Sequence, residues 1–331
     1  MQRRSRETRG DLARRVAASA RWWVSGLLVG STVCGCSGSP TTEPVRSQAA
    51  AASEPSARTP APGVSEPSTQ PRSPAPAAAT QGPTPVPEIH PGLLAGYLGK
   101  DLPSSLKLLP RPPAPGTAAF QQDEAVSRAS QKLRGSARYA QASSDADLSF
   151  PHAASTFACA LGVPITQEGS PYLYQMLRRV LTDAALATYA AKDHYKRVRP
   201  FVYYKESTCT PNDEELLRGD GSYPSGHTSI GWAWAQILTE LAPDRADALL
   251  ARGRSFGESR LVCNAHWQSD VLEGRAVGAG AVAKLHGNAE FKADIANAAG
   301  EIAALRKSGQ APNADCDAEA AALSVPVDGA L

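Results

Sequence analysis

A polar turn runs directly into an apolar helix in the segment GSYPSGHTSIGWAWAQILTEL, residues 221–241. Apolar side chains dominate from Thr228 to Leu241, and Pro243 then prevents the helix from continuing. Helical periods recur on both sides, over about residues 171–192, 244–256 and 266–285, and in a stripe from Phe291 to Leu305. Phe201–Tyr204 is the best strand candidate, and it is short. We therefore predict an all-α fold, a helical bundle.

The turn before this helix has the features of an anion site. Ser225 is placed to cap the helix, and Gly226 allows the backbone to approach a ligand closely. The first amide hydrogens of a helix have no acceptor within it, so they favour an oxyanion. A capped turn alone would explain the serine and the glycine. It would not explain His227, a proton donor at the entrance of such a site.

A basic run forms the second motif. Lys192 and Arg199 are seven residues apart, so they share a face if the helix persists, with Lys196 and Arg197 nearby. Pro200 disfavours helix at Arg199, which would leave the guanidinium at a helix end. Such a cluster suits an anion. The alternative is a solvated basic helix end.

The third motif pairs a histidine with a carboxylate. His266 and Asp270 are four residues apart, which would make them neighbours on one helix face. A carboxylate that fixes one ring nitrogen leaves the other free as a nucleophile or base. Arg260 adds a bidentate donor suited to phosphate. The three motifs together supply the groups for phosphoryl transfer without a metal ion or cofactor.

The motifs K-x6-RP, PSGH and SR-x5-H-x3-D resemble those of the type 2 phosphatidic acid phosphatase (PAP2) superfamily, which also includes vanadium haloperoxidases. Within it, GSYPSGHT is similar to the turn of bacterial class A non-specific acid phosphatases. The similarity extends from about Leu106 to Leu305. Asn264 and Ala265 stand where that class is expected to have Gly-Tyr, which would affect the fit of the leaving group.

This resemblance implies a role for each motif residue. His266 would attack phosphorus with Asp270 holding its far nitrogen, and His227 would protonate the leaving group. The phosphate oxygens would be bound by Lys192, Arg199, Ser225, Gly226 and Arg260. The expected activity is hydrolysis of many phosphate monoesters, with phosphotransfer as a side reaction. The alternatives are a vanadate-dependent haloperoxidase, a lipid phosphatase and, more distantly, a non-enzymatic interaction module.

The chain has 331 residues, and we divide it into four parts. Residues 1–36 are predicted to be an export signal, a basic leader and a short apolar run that ends in a lipobox-like sequence with Cys36 as the lipidation site. Residues 37–90 are a Pro/Ala/Ser/Thr-rich linker without aromatic residues, predicted to be disordered. Residues 91–306 form the phosphatase-like domain, and residues 307–331 form a C-terminal tail. The expected location is periplasmic, anchored to the outer membrane or else soluble.

Four cysteines remain in the mature chain, an even number that suits an oxidising compartment. We favour a disulfide between Cys209 and Cys263, because both lie close to motifs that must meet at one site. Cys159 and Cys316 are then left by subtraction. No zinc-ligand spacing is present.

The charge is nearly balanced, 34 basic against 32 acidic residues, which argues against a nucleic-acid partner. Membrane contact is expected only through the lipid anchor. The oligomeric state stays open, with a homo-oligomer among the alternatives. The other histidines receive no role; they are His90, His152, His194 and His286.

Overall fold

The computed structural model describes residues 82–330, and their regular structure is almost entirely helical. This confirms the all-α prediction. The predictions for the signal, for Cys36 and for the linker up to residue 81 lie outside the described residues. Residues 82–90, which we assigned to the linker, include strand β1 (Glu88–His90), and β1 pairs antiparallel with β2 (Leu93–Leu94).

The helices follow one another with short connections. In chain order they are α1 (Ser105–Leu108), α2 (Ala118–Gln131), α3 (Ala137–Ser144), α4 (His152–Ser155), α5 (Ala158–Leu161), α6 (Pro171–Leu186), α7 (Tyr189–Tyr195), α8 (Pro200–Tyr204), α9 (Glu214–Gly219), α10 (Gly226–Leu241), α11 (Ala246–Val262), α12 (Gln268–Leu285), α13 (Ala289–Ser308) and α14 (Cys316–Leu323). Within residues 82–330, no helix combines the length and hydropathy needed to cross a membrane.

Helix α10 is the centre of the bundle and packs against α6, α11 and α12. Trp234 on α10 is fully buried, and its indole N–H donates to the carbonyl oxygen of Leu177 at 3.0 Å. Its ring makes edge contacts with Phe150 and Phe157. The apolar face predicted from the sequence is therefore the core of the fold.

Two glycines let α12 lie directly against the first turns of α10. A Cβ added at Gly278 would come within 2.4 Å of the Ser229 carbonyl oxygen, and one at Gly274 within 2.7 Å of the Ser225 carbonyl oxygen. No side chain larger than hydrogen fits at either crossing. The close packing fixes the start of α10, which carries the predicted anion site.

Several elements differ from the sequence predictions, among them the helix predicted over residues 244–256, which is α11 and extends to Val262. The helix predicted over residues 171–192 is divided into α6 and α7, and near the break the Thr188 hydroxyl donates to the Ala185 carbonyl oxygen at 2.7 Å. The strand predicted at Phe201–Tyr204 is helix α8, which Pro200 begins as a first helical residue. Helix α12 begins at Gln268 rather than at residue 266.

Disulfides join Cys209 to Cys263, as the sequence analysis favoured, and Cys159 to Cys316, the pair that was left by subtraction. The first links the segment after α8 to the end of α11. The second ties α14 to α5, so part of the predicted tail is a helix fastened to the domain.

Replacing both Cys209 and Cys263 by serine should lower the free energy of unfolding by about 2–5 kcal/mol, because a long loop is released in the unfolded chain. Activity should fall as well, since Cys263 caps the helix that carries Arg260. Denaturant unfolding of the purified variant tests this prediction. An unchanged unfolding midpoint would contradict it.

Candidate active site

A carboxylate connects the two cations of the basic run. Helix α7 ends at Tyr195, where Lys196 adopts a left-handed conformation with φ 45°, so the predicted common helix face of Lys192 and Arg199 is wrong. Instead, Lys192 Nζ lies 3.1 Å from Asp220 Oδ2, and Arg199 Nη2 lies 2.9 Å from the same oxygen. Both cations are buried. Asp220 therefore holds them together.

The turn before α10 is built as the sequence suggested. Ser225 has an extended backbone, and its Oγ accepts from the Thr228 N–H at 3.3 Å. Its own N–H donates to the Asp270 carbonyl oxygen at 2.9 Å. A Cβ at Gly226 would meet only Thr188 Oγ1, at an ordinary 3.8 Å. Packing within the protein therefore does not require this glycine, which agrees with a ligand approaching its backbone.

His266 precedes α12 rather than lying on it, so the predicted shared helix face with Asp270 is wrong, although the two side chains do meet. His266 Nδ1 lies 3.4 Å from Asp270 Oδ2, a close contact without hydrogen-bond alignment. On the other side of the ring, Nε2 lies 3.0 Å from Arg199 Nη1. Because a guanidinium only donates, Nε2 carries the lone pair and Nδ1 carries the proton. This is the tautomer that a nucleophile at Nε2 requires.

Asp270 is itself held by a second buried network. Its Oδ2 accepts from the Trp267 N–H at 2.9 Å, and its Oδ1 accepts from Arg197 Nη1 at 2.6 Å. Arg197 Nη2 donates to Asp123 Oδ2, also at 2.6 Å. Arg197 therefore orients the carboxylate instead of facing the anion, and Lys196 is exposed. The sequence analysis had grouped both with the anion-binding cations.

Arg260 is buried, and its Nε and Nη1 have no hydrogen-bond partner among the described residues. Burial, with the positive charge of Arg199 second, lowers the pKa of Arg260 to about 10. A charged guanidinium in such a place is costly unless an anion joins it. Its unpaired N–H groups indicate where the phosphate oxygens would bind.

His227 lies half-buried at the same site. Its Nε2 is 3.1 Å from the Ala146 carbonyl oxygen. Burial and then the charge of Arg260 lower the pKa of His227 well below its ordinary value, with smaller contributions from His266 and Arg199. Burial and then Arg199 likewise lower the pKa of His266. Both imidazoles are therefore neutral without a bound anion.

These interactions place the three sequence motifs around one site. Four basic and three acidic side chains belong to the site, so it has an excess of one basic group, which favours a phosphate monoester anion; they are Lys192, Arg197, Arg199 and Arg260, and Asp123, Asp220 and Asp270. Within residues 82–330, no group of three or more His, Cys, Asp or Glu side chains is arranged to hold a metal ion.

Sequence reasoning missed three residues of the site. They are Asp220, Arg197 in its orienting role, and Asp123. Asp220 stands directly before the turn at residues 221–226, and this adjacency was the one available signal. No signal in the sequence pointed to Asp123, because it reaches the site only through the packing of α2.

Comparison with known proteins agrees with this architecture. The PAP2 superfamily profile matches residues 172–287. A non-specific acid phosphatase of Providencia stuartii is 45% identical over 204 residues, which cover 61% of this chain and 82% of the relative. An acid phosphatase of Zymomonas mobilis is 40% identical over 208 residues (63% and 79%), and a non-specific acid phosphatase of Salmonella typhimurium is 42% identical over 195 (59% and 78%).

In this helical bundle, three basic side chains, the start of helix α10 and two histidines meet at one site, which is the arrangement of a phosphatase of the PAP2 type. The chain belongs to the PAP2 superfamily, within which it is a bacterial class A acid phosphatase. The protein is thus an enzyme, as the sequence motifs predicted.

Proposed function

We propose that the protein hydrolyses a broad range of phosphate monoesters through a phosphohistidine intermediate, without a metal ion. The observation that carries this proposal is the tautomer of His266, whose Nε2 lone pair lies beside Arg199 Nη1 at 3.0 Å. A neutral, buried imidazole among three cations is both a nucleophile and a neighbour of the bound phosphate.

In the first step, His266 Nε2 forms a bond to phosphorus while the bond from phosphorus to the ester oxygen breaks. The substrate monoanion brings a proton to His227 Nδ1, and the leaving oxygen takes this proton and departs as an alcohol. In the second step, His227 accepts a proton from water, the water oxygen bonds to phosphorus, and the bond to Nε2 breaks. His227 then returns this proton to inorganic phosphate, which is released, and both histidines are restored.

The basic side chains of the site support this chemistry electrostatically. Lys192, Arg199 and Arg260 face the charge that spreads over the equatorial oxygens, and the Gly226 amide at the start of α10 adds a backbone donor. Fixed charges of this kind replace the function that a metal ion has in other phosphatases. An alcohol in place of water would attack the phosphohistidine, which gives phosphotransfer as a side reaction.

A substrate panel tests the proposal. The purified domain should release phosphate from nucleotides, sugar phosphates and aryl phosphates, keep its activity in EDTA, and be inhibited by vanadate. Loss of activity in EDTA would overturn metal independence. Halide oxidation with vanadate would support the haloperoxidase alternative, and a preference for phosphatidate in bilayers over aryl phosphate would support a lipid phosphatase.

Replacing His227 by alanine should slow substrates with poor leaving groups most, by about 10²–10⁴-fold, because a good leaving group needs little protonation. A series of aryl and alkyl phosphates measures this dependence. His286 is exposed, so His286→Ala is the control and should behave as wild type. An equal loss for all leaving groups would contradict the role of His227.

The pH profile follows from the lowered pKa values of His227 and His266. The acid limb of kcat/KM should lie well below pH 6.5, since both rings stay neutral as the pH falls. The reacting proton then enters with the substrate monoanion, so the rate should fall above the second phosphate pKa, about 6. Substrates with different phosphate pKa values should shift this basic limb. A basic limb that is independent of the substrate would refute the assignment.

We further propose that the protein acts in the periplasm, held by a lipid on Cys36. Two disulfides in residues 82–330 support a compartment outside the cytoplasm. Metabolic labelling with a fatty acid should mark the wild type but not Cys36→Ala. Equal labelling of both proteins, or of neither, would contradict lipidation at Cys36.

A further inference from the structure

The hydrogen bond of His227 is made to a loop that none of the sequence motifs includes. Its Nε2 meets the Ala146 carbonyl oxygen at 3.1 Å. Because a carbonyl only accepts, Nε2 must carry a hydrogen, and Nδ1 is left for the leaving oxygen. The position of one backbone carbonyl therefore sets both the orientation and the tautomer of the proton donor.

Asp145, the residue before Ala146, is held by two side chains of α11. Its buried carboxylate accepts from Arg252 Nη2 at 2.6 Å and from Ser259 Oγ at 2.5 Å. Arg252 and Ser259 both lie on α11, the helix that carries Arg260. The carboxylate thus ties the end of α3 to the helix of a phosphate-binding arginine.

The C-terminal helix completes this arrangement. Glu319 on α14 accepts from Arg252 Nε at 3.2 Å, a different nitrogen from those that meet Asp145. Helix α14 packs against α3, and its first residue, Cys316, is joined to Cys159. Arg252 is buried between two carboxylates that belong to two different helices.

Folding stability alone does not explain why Arg252 and its two carboxylates are buried together. Buried ion pairs contribute little to stability compared with apolar residues of the same volume, because desolvation offsets the attraction. What they do supply is a fixed geometry. A rigid carbonyl is needed where a proton donor must meet the leaving oxygen, since proton transfer depends on distance and alignment.

We infer that Asp145, Arg252 and Glu319 form a positioning unit for His227, which acts through the Ala146 carbonyl. The inference rests on the proposed role of His227 as proton donor. The three residues touch neither the phosphate nor the reacting atoms in this arrangement. We therefore expect their main effect on the step that needs the proton.

Glu319→Ala and Asp145→Asn in the full chain test the inference. For alkyl phosphates, kcat should fall about 5-fold and about 30-fold respectively, a part of what a general acid contributes. For an aryl phosphate with a good leaving group, kcat should change less than about 2-fold, and KM should stay the same for both. Glu319→Gln keeps an acceptor and should recover most of the loss. If Asp145→Asn does not fold, Glu319→Ala still tests the inference, because Glu319 is less buried than Asp145.

A matched control is available at another buried arginine. Arg179 is buried, is paired with Glu290 at 2.6 Å and lies near Asp294, although Glu290 is more exposed than Glu319. Glu290→Ala should lower the unfolding midpoint without any dependence on the leaving group. If the Glu319 and Asp145 variants behave in the same way, their role is structural and the inference is overturned.

The double variant separates this inference from the proposed function. Asp145→Asn should add no leaving-group dependence once His227 is alanine, because the proton donor is then gone. An added dependence would overturn the inference alone. If His227→Ala itself shows no leaving-group dependence, the proposed role of His227 fails and the inference fails with it.

Discussion

Replacing His266 by alanine should abolish the phosphoenzyme and lower kcat by about 10⁴-fold or more. In the proposed mechanism the buried, neutral imidazole attacks phosphorus, and its Nε2 lies 3.0 Å from Arg199 Nη1, a group that would bind phosphate. Single-turnover labelling with a radioactive phosphate monoester, quenched in base because a phosphohistidine hydrolyses in acid, measures the intermediate directly.

The same variant should still bind inorganic phosphate, because Lys192, Arg199 and Arg260 remain. Phosphate should therefore raise its unfolding temperature as in the wild type. His194→Ala is the matched control, since His194 is exposed and should lose neither labelling nor rate. Burst labelling that survives in His266→Ala would mean that another residue attacks phosphorus.

The helices that could be predicted from sequence are those with an unbroken period. The apolar run after Thr228 is long enough to show a helical period, and α10 ends as predicted at Leu241. Phe201–Tyr204 is too short, because an apolar run of four residues fits a strand or a helix equally well. The break between α6 and α7 has no proline or glycine to mark it, so only tertiary packing reveals it.

The candidate site was predictable where fixed letters of the motifs carry it. Lys192, Arg199, Arg260, His227 and His266 were all named, and the structure brings them to one site. The groups that orient them were not predictable, because Asp220 and Arg197 resemble any other acidic or basic residue in the sequence. Their function depends on burial beside a named residue, which only the fold determines.

The geometry between His266 and Asp270 shows the same limit. Spacing alone predicted that they would be neighbours on a helix, and they are neighbours for another reason. The chain before α12 turns so that Asp270 caps its own helix through Trp267 while its Oδ2 reaches the histidine. The residue pair was identified correctly, but the local structure that brings it together was not.

Replacing Arg260 by methionine should separate activity from stability. Two nitrogens of the buried guanidinium have no hydrogen-bond partner in the part of the chain that the structure describes, and its pKa is lowered to about 10. It stays charged at every working pH, so the cost of burying it is constant there. Removing it should raise the free energy of unfolding by about 1–3 kcal/mol. The same change should lower kcat/KM by about 10³-fold, because a donor to the transition state is lost.

Thermal unfolding with and without phosphate distinguishes this explanation from simple repacking. Phosphate should raise the unfolding temperature of the wild type, because it pairs with Arg260. It should raise that of Arg260→Met much less. The higher stability of the variant should therefore shrink or disappear at saturating phosphate. Arg254→Met is the matched control on the same helix, because Arg254 is exposed and paired with Glu258. It should keep full activity and near wild-type stability. If Arg260→Met is less stable than wild type without phosphate, then burial of the guanidinium does not lower the stability of the fold, and this explanation is wrong.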